Sequence, residues 1–357
     1  MGNTVSNEST DSTKMPTKIP KHLQPIKRKS PPKKSTPPQA SGSKPKAKLN
    51  LGGTNVFNQE SASSIVQFRW SQGRRFPNIE NIEYFLPNDQ TEQDRHRVQF
   101  YVIRWAFGRY RHIVPPEIKP KLIEGIKVLD INCGPGLWVG HPILDMAQDF
   151  EKSTFHLVDI CDLLPQTSST VIDSYTPVKL EERQEEKNFT FITHNIIQNK
   201  QLPFESNHFD FIQQNLTALT YKQEDWPLIL KELLRVTKPG GYIQLIEVDL
   251  TPHHMGPRTE LWLEQGKLEQ MLSNIGLVDI QCKFVSIPVG SWGLDIGHLW
   301  KENYEAFFES AKPFLIEMMD ISSREYKKQM RIVMEELDEY KTFTNVYLIW
   351  GRVPNEQ

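Results

Sequence analysis

Val128 to Pro142 reads VLDINCGPGLWVGHP: an apolar run that ends in an acid and passes at once into a glycine-rich turn. A strand, a tight turn and a helix in immediate succession restrict the chain to a sheet with helices on its faces. They also place a ligand crevice at the carboxyl edge of that strand. Gly134 and Gly136 allow the backbone to come close to a ligand, because no Cβ intervenes. A dinucleotide-binding turn, G-x-G-x-x-G, needs a third glycine where Val139 stands. A phosphate-cradling loop needs Gly-Lys-Ser or Gly-Lys-Thr, and neither triplet occurs in the chain. Kinase and nucleotide-hydrolase readings fall with the second pattern, and the missing third glycine disfavours an NAD-dependent oxidoreductase.

From Ile126 onward, apolar strand-like runs alternate with helical stretches, the pattern of an α/β domain with a parallel sheet. Strands are expected at Lys127–Ile131, Thr154–Val158, Phe189–Thr193, Phe209–Gln213 and Tyr242–Ile246, with two later ones at Val278–Pro288 and Thr344–Arg352. Helices are expected at Pro142–Phe150, Asp225–Val236 and Thr259–Ile275, the second stopping at the glycines of KPGG. Ser168–Asn188 is polar and charged and reads as a helix within a surface excursion. Ahead of the sheet, Asp89 caps a helix with Glu92 three residues on, and Val98, Tyr101, Val102 and Trp105 recur at helical spacing up to Gly108. Its apolar face belongs in the core; its polar face, Asp89, Glu92, Asp94 and Arg95, either faces solvent or closes over a ligand.

The turn suits a ligand with a carboxylate and an amine but no phosphate, as in S-adenosylmethionine. Asp130 can draw in the ammonium directly or through water, while turn amides and the helix start accept the carboxylate. Asp159 ends the second strand, 29 residues after Asp130. A carboxylate there accepts hydrogen bonds from both hydroxyls of a ribose. Asn195, after the third strand, can pair with the adenine edge. A lone acid at a strand end is usually a loop cap; acids and amides at the ends of successive strands of one sheet argue for one ligand.

Lys14 to Lys48 holds eleven Lys or Arg, eight prolines and no acid. Such a stretch cannot offset its ordering entropy, so residues 1–60 are expected to be a disordered basic tail. Residues 51–357 carry 31 bases against 42 acids, a formal net of −11. An acidic body argues against a nucleic-acid substrate. Cys133, Cys161 and Cys282 have no paired spacing, which argues against disulfides and a zinc site and for a reducing compartment. No apolar run reaches the length of a membrane span and the start carries no apolar signal core, so an intracellular, cytoplasmic or nuclear location is expected. Gly2 and Ser6 fit an N-myristoylation pattern, for which the basic tail supplies the second, weak membrane signal. KRKSPPKK instead reads as a nuclear import signal, or the tail is simply solvated.

The runs VLDINCGPG, HLVDICD, LPFESNHFDFIQQN and ELLRVTKPGGYIQLIE resemble the successive motifs of class I S-adenosylmethionine-dependent methyltransferases. GRRFPNIENIEYFLPNDQTEQDR before the sheet and IPVGSWGLDIGHLWKENYEAFFESAKPFL after it are similar to the fungal LaeA-like group, linked to secondary metabolism. The resemblance spans Gly73 to about Arg352. It implies a Rossmann-like, seven-stranded, mostly parallel sheet with a reversed last strand. A methyltransferase domain over 61–357 would then divide into an N-terminal helical cap (73–125), a core (126–287), a helical substrate-side insertion (288–340) and the last strand (341–357). Cofactor roles carry over onto Asp130, Asn132, Gly134, Gly136, Asp159, Ile160, Asn195, Ile196 and Gln214. Departures are Asn132 for the usual first glycine, the extra VGHP after the turn, Asn215 for a common arginine and Phe100 for a common histidine. Asn tolerates a left-handed backbone best among non-glycine residues, so the turn survives. Pro142 suits the first helical position, so VGHP can simply delay the helix; His141 is expected to be solvent-exposed.

Methyl transfer from a sulfonium is an in-line displacement whose largest demands are alignment and exclusion of water. If the acceptor must lose a proton, His253 and His254, after the fifth strand, are the candidate bases. Trp292, Trp300 and Tyr304 either wall an acceptor pocket or pack the fold. Gln213 to Tyr221 lacks both an Asn-Pro-Pro-Tyr motif and any acid, which demotes DNA, glutamine and arginine as acceptors. A small molecule or another protein side chain remains. The rival is a regulatory or scaffold protein that keeps the fold and binds the cofactor weakly or not at all.

Overall fold

A computed structural model describes residues 68–78, 84–108, 111–137, 145–161, 163, 188–249 and 268–355. The tail, the VGHP segment with His141, the Ser168–Lys187 excursion, and His253 and His254 lie outside the described residues.

The first element among the described residues is a hairpin, β1 (Phe68–Ser71) and β2 (Arg74–Pro77), which the sequence reading does not anticipate. Helix α1 (Gln90–Ala106) starts as expected: the Asp89 side chain accepts the Glu92 N–H at 3.1 Å. After α2 (Ile118–Glu124) come β3 (Lys127–Ile131), α3 (Asp145–Asp149), β4 (Thr154–Asp159), β5 (Phe189–Thr193), α4 (Ile196–Asn199) and β6 (Phe209–Asn215). Then follow α5 (Trp226–Val236), β7 (Thr237–Val248), α6 (Leu268–Asn274), β8 (Val278–Pro288), α7 (Leu294–Met319), α8 (Ser323–Glu339) and β9 (Phe343–Arg352). β7 begins five residues earlier than expected: Thr237 pairs with Phe209, KPGG forms an irregularity in which Gly240 sits at φ +74, and the ladder resumes at Tyr242.

Seven strands form one sheet in the order β5-β4-β3-β6-β7-β9-β8. β3 to β7 run parallel, and only β9 is reversed, pairing antiparallel with β7 and β8. Both faces are covered, so the central strands read as near-continuous apolar runs. On one face Ile229, Leu230 and Leu233 of α5 pack on Ile212, Ile243 and Leu245. On the other, Val102 and Ile103 of α1 meet Ile246, Trp300 and Trp350. Val102 and Ile103 are fully buried, and each such side chain contributes about 1.5–3 kcal/mol.

The reversed order places two connections, after β3 and after β6, side by side at the carboxyl edge. The crevice forms there, and α1 and α7 lie over it.

Candidate functional site

The turn after β3 has the backbone its residues were expected to need. Asn132 sits at φ +54, Gly134 at +53 and Gly136 at +73. The Asn132 amide donates to the Tyr221 hydroxyl at 2.6 Å, tying the turn to the segment after β6. Nothing would meet a Cβ at Gly134 within 4 Å; its backbone conformation, and the open approach beside it, call for glycine.

Asp159 braces this turn. Its carboxylate accepts the Gly134 N–H at 2.8 Å and the Cys161 N–H at 3.1 Å. Burial pushes its pKa up, and the amides of Cys161, Gly134 and Ile160 oppose the shift. Asn195 caps α4, accepting the Gln198 N–H at 3.1 Å. Both residues thus carry a structural bond and still present polar atoms to the cavity.

A cavity of about 300 Å³ opens over the turn. Asn132, Gly134, Asp159, Ile160, Asn195 and Ile196 all line it. Three expected residues do not. Gly136 lies between Pro135 and Leu137, which both line the cavity, but does not itself line it. Gln214 alternates to the other face of β6, where its amide donates to the Thr217 hydroxyl at 2.8 Å, and Asn215 forms the wall instead. Asp130 is 1% exposed and stands behind the turn, with neither carboxylate oxygen hydrogen-bonded.

Asp130 belongs to a buried polar row across the sheet: it pairs in register with Gln213, and Gln213 with Gln244. Gln244 donates to the Ile113 carbonyl at 3.1 Å, but its side-chain oxygen, like the Gln213 amide nitrogen, has no partner. Burial pushes Asp130 up to about 8; the neighbouring Gln213 amide opposes this and the Asp159 charge reinforces it. An orphaned acid of this kind suits an ammonium, which restores its charged form.

The opposite wall was only partly legible. Of the polar face of α1, Glu92 and Arg95 line the cavity; Asp89 and Asp94 do not. Glu92 is 1% exposed, pairs with Arg95 at 2.7 Å and accepts the Ser310 hydroxyl of α7 at 2.6 Å. Burial alone would raise its pKa, yet Arg95 and His96 hold it below the usual carboxylate value. Arg74 of the hairpin binds Asp89 through two nitrogens, at 2.6 and 2.9 Å. The hairpin, α1 and α7 are therefore one polar assembly. His96 also lines the cavity; burial and Arg95 push it down to about 4, which keeps it neutral.

Sequence reasoning missed Tyr84, His96, Thr217 and Tyr221 as wall residues. It also missed Glu247, whose carboxylate takes the Thr217 N–H and hydroxyl, both at 2.8 Å, and the Ala218 N–H at 3.0 Å. The acid closing QLIE at a strand end was the available signal. Phe100 and Asn215, the two departures noted above, both line the cavity. Trp300 and Tyr304 wall a second cavity; Trp292 walls neither and is 39% exposed.

This sheet order, with its glycine turn, strand-end acid and strand-end asparagine, is the architecture of class I S-adenosylmethionine-dependent methyltransferases. The chain belongs to the methyltransferase-domain family, whose model matches residues 122–312, more than half of its length. It is 22% identical over 249 residues to the secondary metabolism regulator LAE1 of Cochliobolus heterostrophus, covering 62% of this chain and 71% of that one. It is 23% identical over 280 residues to the methyltransferase pytC of Aspergillus terreus, covering 70% and 77%. A solved phosphoethanolamine N-methyltransferase 2 of Haemonchus contortus, in complex with phosphomonomethylethanolamine and S-adenosylhomocysteine, is 17% identical with a TM-score of 0.41. That comparison covers 78% of this chain and 62% of the solved one.

Proposed function

We propose that the protein transfers the methyl group of S-adenosylmethionine to a small molecule or protein side chain, in the service of fungal secondary metabolism. The observation that carries this reading is the single cavity in which Asn132, Gly134, Asp159, Ile160, Asn195 and Ile196 converge, with the orphaned Asp130 behind it. The relatives named as a secondary metabolism regulator and as a methyltransferase support the setting.

The residues fit the cofactor. Asp130, behind the turn, supplies a negative charge that draws its ammonium, while on the wall Asp159 supplies an acceptor for ribose hydroxyls and Asn195 with Ile196 an edge for adenine. The cofactor supplies a methyl group on a positively charged sulfur, already activated for displacement. The chain's own part is to bind, align and keep water out. Glu92, Arg95, His96 and Phe100 of α1 line the cavity, and Glu92 ties the helix to α7 by accepting the Ser310 hydroxyl. His96 is on the wall, but burial and Arg95 disfavour its protonated form, so it is a weak proton acceptor there.

Isothermal calorimetry with S-adenosylhomocysteine tests the reading. Micromolar binding that is lost in Asp159→Ala is expected. No binding at millimolar ligand would sink it in favour of a regulatory protein that keeps the fold alone.

A further inference from the structure

A second cavity, of about 340 Å³, adjoins the first and shares four wall residues with it: Arg95, Gln99, Leu219 and Phe307. Its chemistry is different. The rings of Phe85, Trp300, Tyr304 and Phe307 and the thioethers of Met319 and Met330 are among its walls. Phe85 meets Phe307 edge-on at 6.3 Å between centroids, and Trp300 meets Tyr304 at 5.9 Å. Asp249 is the one carboxylate among the described lining residues, just beyond Val248 at the carboxyl end of β7. Gln99 supplies an amide on the side shared with the cofactor cavity.

We propose that this cavity holds the methyl acceptor, and that the acceptor is a small, apolar, ring-bearing molecule carrying one hydroxyl or amine. This rests on the cofactor reading given above. Three observations carry it. The volume is that of a small-ligand pocket, and the pattern of many apolar walls with few polar groups is the one such pockets show. The rings offer edges and faces on which another ring packs, and unbranched thioethers adapt to its outline. The shared wall puts the occupant against the cofactor cavity, at the carboxyl ends of β6 and β7, where Leu219 and Asp249 follow the strands. A peptide segment fits less well, because each of its residues brings a backbone donor and acceptor that Arg95, Gln99, Asp249 and Asn303 are too few to satisfy. Arg95 and Asn303 are moreover bonded to each other, the Asn303 amide donating to the Arg95 carbonyl at 2.8 Å. Phe314 and Met318, 43% and 55% exposed on the rim, leave an apolar approach from solvent.

The test is calorimetric titration of the full chain with 2-naphthol, with and without S-adenosylhomocysteine. Micromolar naphthol binding is expected, weakened at least tenfold in Ala311→Trp, which fills the cavity, while S-adenosylhomocysteine binds within twofold of wild type. Should Ala311→Trp not fold, Leu315→Trp on the same wall replaces it, with the same expectation. No naphthol binding at millimolar concentration, or binding unchanged by either filled variant, overturns the proposal. So does tighter binding of the blocked peptide Ala-Phe-Phe-Ala than of naphthol. Failure of S-adenosylhomocysteine to bind overturns the cofactor reading separately, because the naphthol titration without cofactor still reports on this cavity alone.

Discussion

Two residues at the turn set conditions that can be measured singly. Asn132 holds φ +54 and donates to Tyr221. Asn132→Gly keeps the backbone and loses that bond, so urea unfolding should show a cost of about 0.5–1.5 kcal/mol. Asn132→Val places a β-branched residue in the left-handed region and should cost roughly 1–3 kcal/mol more. Asp130 titrates near 8 in the folded protein and at 3.8 as its ordinary value. The folded state therefore binds the proton more tightly, and stability falls as pH rises between those values. Asp130→Asn should abolish that decline. Pairing with a ligand ammonium requires the charged acid, so binding of S-adenosylhomocysteine at pH 7 should release a proton. Calorimetry in two buffers of different ionisation enthalpy reads this directly; a buffer dependence that persists in Asp130→Asn would contradict it.

At the scale of elements, α1 is held over the cavity by charge. Glu92→Ala leaves the Arg95 guanidinium buried without its partner and should destabilise by about 3–5 kcal/mol. Because the Glu92 pKa is depressed below 4.5, its contribution is present above that pH and is lost as the pH falls through the folded value. Wild type should lose more stability on acidification below pH 4.5 than Glu92→Gln does, as followed by urea unfolding at each pH. The capping of this helix was legible, since Asp89 and Glu92 lie three residues apart. Their further partners were not, because Arg74 is 15 residues upstream of Asp89 and Ser310 is 218 residues downstream of Glu92. No local pattern encodes such separations.

Across the whole molecule, α7 ties α1 to the sheet. Trp300 is 1% exposed and donates its indole N–H to the Thr344 hydroxyl of β9 at 2.8 Å. Trp300→Ala should cost roughly 3–5 kcal/mol through the cavity it leaves, seen as a lowered urea midpoint. The strands were legible because both faces of the sheet are covered, which turns each central strand into an apolar run bounded by turns. β3 and β8 fall where the runs place them. The hairpin β1–β2 was not legible, since RWSQGRRF is too polar and short to declare itself. Alternation along a single strand decided the wall of the site: Gln214 and Asn215 are neighbours in sequence, yet only Asn215 faces the cavity. By itself, then, the sequence determined what depends on neighbours in the chain: the order of strands and helices, the glycine turn with its left-handed Asn132, and the cap of α1. Tertiary structure alone decided what depends on distant segments meeting: the burial that raises Asp130, the bracing of the turn by Asp159, and the apolar cavity beside the cofactor site. Burial and contact between remote residues exist only once the sheet has closed, and they set the charge state and the shape of the site.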